Sequence, residues 1–283
     1  MLPIPLDFDE INLENWDNVD AYDDFIHADG EPLNAKAVTT ADIDRLKGCR
    51  GESVVISGLH ADTLDYFIRC YADRFRFFFL YKCGYIPDLS PLGTLAKMDG
   101  ISIYLNRTVD RLWDLSGNTG LRKLFLHGFS RLHDLDGLEK APALTTFCIG
   151  SWENCSTVIS HVPDLSHSRL ERVRILARIT PEDLYSFLRA PALRCLDFRP
   201  QQFKVELLAW INANFPNLDG YSLHPYILHD DDYVTICGKG HRVYPCRDDA
   251  DAQQAMRQAM KKFGKLKRQL RGVPFDEAAH LFR

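Results

Sequence analysis

The chain has 283 residues, of which 46% are hydrophobic and 26% charged, and its formal net charge is −5; this composition can bury a sizeable core and belongs to the ordinary globular class. Its longest apolar runs, such as Phe77 to Tyr81, fall far short of the roughly 20 residues needed to cross a bilayer. Met1 to Asp9 sets no basic residue ahead of an apolar segment, so a cytoplasmic location is expected, and eight cysteines without a CxxC spacing point to reduced thiols rather than a stapled secreted scaffold.

Taken in chain order, residues 1–50 read as an acidic N-terminal flank. Residues 1–35 hold ten Asp and Glu and no Lys or Arg, and Thr40-Ala41-Asp42-Ile43 begins a short helix. An apolar triplet at positions 1, 4 and 6 of a short strand then recurs eight times. Its members are Gly51/Val54/Ile56, Phe75/Phe78/Leu80, Met98/Ile101/Ile103, Leu121/Leu124/Leu126, Leu144/Phe147/Ile149, Leu170/Val173/Ile175, Leu193/Leu196/Phe198 and Leu218/Tyr221/Leu223, with starts spaced 23 to 26 residues apart. Such a period marks units that bury their apolar faces only by stacking on neighbours. Between the triplets, Leu64, Phe67, Ile68 and Tyr71 fall at helical spacing, and Thr180-Pro181-Glu182-Asp183 reads as an N-cap with proline at the first helical position. A further helix is predicted over Val205 to Ala213. Beyond residue 226, Tyr233 to Cys237 and His241 to Tyr244 flank Gly238-Lys239-Gly240 as a hairpin, and a helix from Asp249 should end at Gly272. Seven bases and no acid lie between Arg257 and Arg271.

The triplets, with the nearly whole LxxLxLxxN pattern of Met98 to Asn106, resemble the leucine-rich repeat family over residues 51–226. Asp88-Leu89-Ser90-Pro91-Leu92 and Asp136-Gly137-Leu138 resemble the lead-in of short bacterial-type repeats, although the ninth position is Asn only at Asn106. The resemblance implies an α/β solenoid with a parallel β-sheet on its concave face, an N-terminal cap over residues 1–50 and a C-terminal hairpin plus basic amphipathic helix over residues 227–283. It also implies a non-enzymatic scaffold for protein recognition, and a bacterial immunity protein that neutralises a toxin is one such role.

Strand side chains alternate sides, so positions 3, 5 and 7 should face outward. The partner-binding candidates in these columns are Phe77, Phe79, Tyr81, Tyr104, Phe125 and His127, with Trp152 at the next rim and Arg172, Arg174 and Arg199 in the later strands. Contiguous exposed aromatic residues mark interaction sites; burial under the acidic flank is the competing expectation. Other chemistry is weaker. Cys237, His241 and Cys246 lack a fourth metal ligand, and His229 to Asp232 reads as a solvated turn, so no metal or cofactor is expected. Cys148 and His127 could meet as an enzyme's dyad, and the basic helix could contact nucleic acid phosphates; these are the alternative functions.

Overall fold

The computed structural model describes residues 38–48, 50–150, 157–229 and 233–282. Seven strands, β1 (Ser53–Ser57), β2 (Phe77–Tyr81), β3 (Gly100–Tyr104), β4 (Lys123–His127), β5 (Thr146–Gly150), β6 (Arg172–Leu176) and β7 (Cys195–Phe198), form one parallel sheet in strict chain order. The molecule is therefore an α/β protein built on a seven-stranded parallel sheet. Equivalent positions of the apolar triplet pair across the whole sheet: Val54, Phe78, Ile101, Leu124, Phe147, Val173 and Leu196 follow one another in register. All seven are buried, as are the residues two positions on, from Ile56 to Phe198. Removing each such side chain from water stabilises the fold by about 1.5–3 kcal/mol, and a slip of one residue would forfeit the entire row.

The other wall of the core is made of short connections. Leu92, Leu115 and Leu138, spaced by 23 residues, lie in 3-10 turns and are buried. The acid before each of these turns shapes it: Asp88 Oδ1 accepts from Ser90 N at 2.8 Å and Asp114 Oδ1 from Ser116 N at 2.9 Å, the Asx turn that competes with helix extension. At the ends of the sheet the connections lengthen into helices. α1 (Thr40–Ile43) carries a capping box between Thr39 and Asp42, and α2 (Ala61–Cys70) buries Leu64 and Phe67. Tyr66 and Tyr71 both donate hydroxyl hydrogen bonds to Asp44, at 2.7 and 2.5 Å, tying the two helices together. In α3 (Pro181–Leu188), Thr180 Oγ1 accepts from Asp183 N at 3.1 Å, as its N-cap signature predicts. α4 (Val205–Asn214) is buried on most sides.

Three sequence expectations need correction. The eighth triplet is no strand: Tyr221–Leu223 is a 3-10 turn, and only Asp219 bridges to Cys195 of β7. Gly220, with φ +155°, comes so close to the Leu196 carbonyl that a Cβ would lie 2.1 Å from its oxygen, and the chain leaves the sheet there. The hairpin is shorter than expected and acquires a third strand: β8 (Tyr226–Leu228), β9 (Val234–Ile236) and β10 (Val243–Tyr244) form a separate antiparallel sheet. The C-terminal helix α5 (Ala250–Leu270) is followed by another, α6 (Phe275–Phe282). Phe275 stacks on Tyr185 of α3 at 4.1 Å, and the Trp210 indole donates to Val273 O at 2.8 Å, so α6 and the segment before it pack on the helices α3 and α4. Among the described residues no helix is long and apolar enough to cross a membrane.

Candidate functional site

The in-register pairing arranges the side chains opposite the core into three columns. Position 3 runs Ser53, Phe77, Gly100, Lys123, Thr146, Arg172, Cys195; position 5 runs Val55, Phe79, Ser102, Phe125, Cys148, Arg174, Asp197. Position 7 brings Tyr81, Tyr104 and His127 side by side. Adjacent strands about 5 Å apart make these columns continuous. Tyr81 and Tyr104 stack at 5.2 Å, and Tyr104 meets the His127 ring at 6.4 Å.

Orientation matches the sequence reading, but exposure does not. Phe79, Phe125, His127 and Arg174, expected to face solvent, are buried, Phe125 and Arg174 to 3% exposure. Each packs on its neighbours in the columns: Phe79 lies 5.9 Å from the Tyr81 ring, Phe125 stacks on His127 at 6.3 Å, and Phe125 with Cys148 forms an apolar cluster separate from the main core. The central column is thus a second layer of interior. The accessible candidates lie at its margins, where Phe77, Tyr81, Tyr104 and Arg199 are half-buried and Arg172 is exposed. Trp152 lies outside the described residues.

Polar chemistry on this face is concentrated toward β6 and β7. Arg174 and Asp197 are both buried and lie 3.4 Å apart, and Asp197 Oδ1 accepts from Tyr221 N at 3.0 Å. Burial, with the Asp197 charge next, raises the Tyr221 pKa. Burial and then the charge of Arg172, two strands away, hold the Lys123 ammonium below its ordinary pKa. Two features escaped the sequence reading. Lys82 sits just past β2 with its ammonium 4.9 Å from the Tyr81 ring centroid; a residue after a strand's last outward position gave no periodic signal. Asn118, fully buried, fixes a turn by donating to Leu92 O at 2.7 Å and accepting from the Trp113 indole at 2.9 Å. It falls outside the ninth position where a buried asparagine was sought.

The competing sites fare differently. Burial lowers the His127 pKa to about 4 and raises that of Cys148 to about 12, the reverse of the ion pair that an activated thiolate requires. His127 Nδ1 lies 3.1 Å from Gly150 O, which fixes the ring by accepting a hydrogen bond from its N–H. Cys237 is buried and its thiol is pushed up to about 12; Cys237, His241 and Cys246 do not converge as a ligand set. Among the described residues the ligand atoms of Asp134, Asp136 and His161 come together, on an exposed turn, where His161 Nε2 already lies 2.8 Å from Asp136 Oδ1. Asp230 to Asp232 lie outside the described residues.

These observations define the class: an α/β protein whose parallel sheet, in chain order, carries an aromatic and cationic face opposite its core. No family model matches the chain, and no curated protein matches it.

Proposed function

We propose that the chain is a leucine-rich repeat solenoid whose outward sheet face, rather than a catalytic centre, is its working part, and that the face recognises another protein. The observation that carries this reading is the stack of half-buried rings, Tyr81 on β2 and Tyr104 on β3, on the same sheet face as the accessible cations Arg172 on β6 and Arg199 just past β7. Tyrosine and arginine dominate binding hot spots because they combine area with fixed hydrogen-bonding geometry. The buried central column supports the stack from beneath and holds its rings in place, which lowers the entropy cost of association. The partner face that fits offers carboxylates to the arginines and apolar surface to the tyrosines. A toxin neutralised by this chain as its immunity protein is the partner we favour within that class, in keeping with the acid-rich residues 1–35, which complement a basic domain.

The test uses the full chain as bait in its native host, followed by titration of the captured partner. Tyr104→Ala and Arg172→Glu should each weaken binding by about 2 kcal/mol, roughly thirtyfold, while thermal stability changes little. Undiminished affinity in both variants would refute the assignment of the face.

A further inference from the structure

A groove of about 650 Å³ opens at the C-terminal end of the molecule between the start of α4, the turn from β9 to β10 and α5. It is separate from the sheet's outward face and does not rest on the recognition reading. Its size is that of a small-molecule site, in the range of about 300–1,000 Å³. Four cationic side chains reach it from these three sources: Lys204 ahead of α4, Lys239 and Arg242 in the turn, and Lys262 on α5. One carboxylate, Glu206, also lines the groove and lies 3.8 Å from Lys262. Among the described residues, no carboxylate lies within ion-pair distance of Lys204, Lys239 or Arg242. The groove thus concentrates an excess of positive charge in a chain whose net charge is −5.

The arrangement is held by backbone rather than left on a free hairpin. Lys239 N donates to Phe203 O at 2.6 Å. Gly238, with φ +109°, lets the turn approach so closely that a Cβ there would lie 3.3 Å from the Val205 backbone. The backbone of the turn at Gly238 and Lys239 is therefore held against the start of α4, and Lys204, Arg242, Val205 and Tyr244 line the same groove as Lys239. Clustered cations within one concavity suit a compact polyanion, because each phosphate oxygen can find a donor without extending along a surface.

We infer that this groove binds a small phosphate-bearing ligand, with Lys204, Lys239 and Arg242 holding the phosphates and Val205 and Tyr244 receiving the less polar remainder. Calorimetric titration of the full chain with inorganic pyrophosphate and with ADP, at constant ionic strength, tests it. Saturable one-to-one binding of at least one probe is expected. Lys239→Glu and Arg242→Glu should each weaken it by about tenfold or more, whereas Lys267→Glu, an equal charge change on α5 outside the groove, should leave it unaltered. Lys239 and Arg242 are exposed, so unchanged far-ultraviolet dichroism serves as the folding control, and Arg242→Gln provides a milder variant should either reversal unfold. Absence of saturable binding by both probes overturns the inference. So does equal weakening by Lys267→Glu, which would indicate diffuse attraction, and so does tighter binding of a duplex oligonucleotide that Lys267→Glu abolishes.

Discussion

At the residue scale the most informative group is His127, a buried imidazole whose ring nitrogen is engaged by Gly150 O. Burial, chiefly, holds its pKa near 4 in the folded chain against 6.5 for the free side chain. The unfolded chain therefore binds the proton more readily, so protonation favours unfolding. Its contribution to stability is complete above about pH 6.5 and is lost as pH falls toward 4, a change on the order of 3 kcal/mol. Denaturant titrations at pH 7 and pH 4.5 should show this loss, and His127→Gln, which keeps a donor for Gly150 O, should reduce it. An identical pH dependence in the variant would show that other groups carry the acid sensitivity. The same burial changes what the neighbouring aromatics mean. Alternation correctly turns Phe79 and Phe125 away from the core, yet direction is not exposure: their neighbours' rings cover them, so their truncation costs stability before it can report on binding.

At the element scale, the residue that follows each of the first four strands shows how a repeat tolerates imperfect sequence. Gly58, Lys82, Leu105 and Gly128 all have positive φ, between 51° and 73°. The neighbouring strand enforces this: Gly58 N donates to Tyr81 O, Lys82 N to Tyr104 O and Leu105 N to His127 O, at 2.8 to 3.0 Å. Glycine adopts this conformation freely, whereas a side chain there costs about 1 kcal/mol or more. Lys82→Gly should therefore be neutral to stabilising by up to about 1 kcal/mol, the relieved strain offsetting the added freedom of the unfolded chain. A chemical denaturation midpoint clearly below that of the parent would contradict this account and give the Lys82 contact with Tyr81 the larger role. Strand register and the helices around Thr180 and Val205 were legible in the sequence because period and capping are local signals. The end of the sheet was not, since Leu218, Tyr221 and Leu223 satisfy the period while Gly220 breaks the strand through its backbone alone. The α6 helix was equally hidden, because Gly272 marks the end of the preceding helix and the eight residues from Phe275 are too few to show a helical period of their own. Nor did ninth-position counting reveal how turns are fixed. Asn106 acts as that pattern implies, donating to Ile86 O at 2.9 Å, but elsewhere Thr157 and Gln202 donate to Phe129 O and Ala177 O instead.

At the scale of the whole molecule, one apolar core runs without interruption from Ile43 beneath β1 to Phe282 in α6, although each strand of the parallel sheet pairs only with its immediate neighbours. Stability in such an arrangement is a sum of weak single units and strong interfaces between them, and an isolated strand with its short turn has no apolar partner of its own. Damage in the middle should therefore propagate to both ends. Leu124, fully buried at the centre of β4, is the test position: Leu124→Ala should cost about 2–5 kcal/mol, combining lost transfer energy with the cavity left behind. Native-state hydrogen exchange measured by mass spectrometry should then show protection falling by a similar free energy in β1, β4 and β7, because their amides exchange through one shared opening. The C-terminal helices should follow, since Trp210 joins α4 to the α5–α6 connection through its bond to Val273 and packs on Phe275 at 5.4 Å. If β7 and α6 kept parental protection while β3 to β5 lost theirs, the interfaces would be too weak to couple the ends, and the chain would have to be treated as two or more cooperative units sharing an apolar layer but not a single transition.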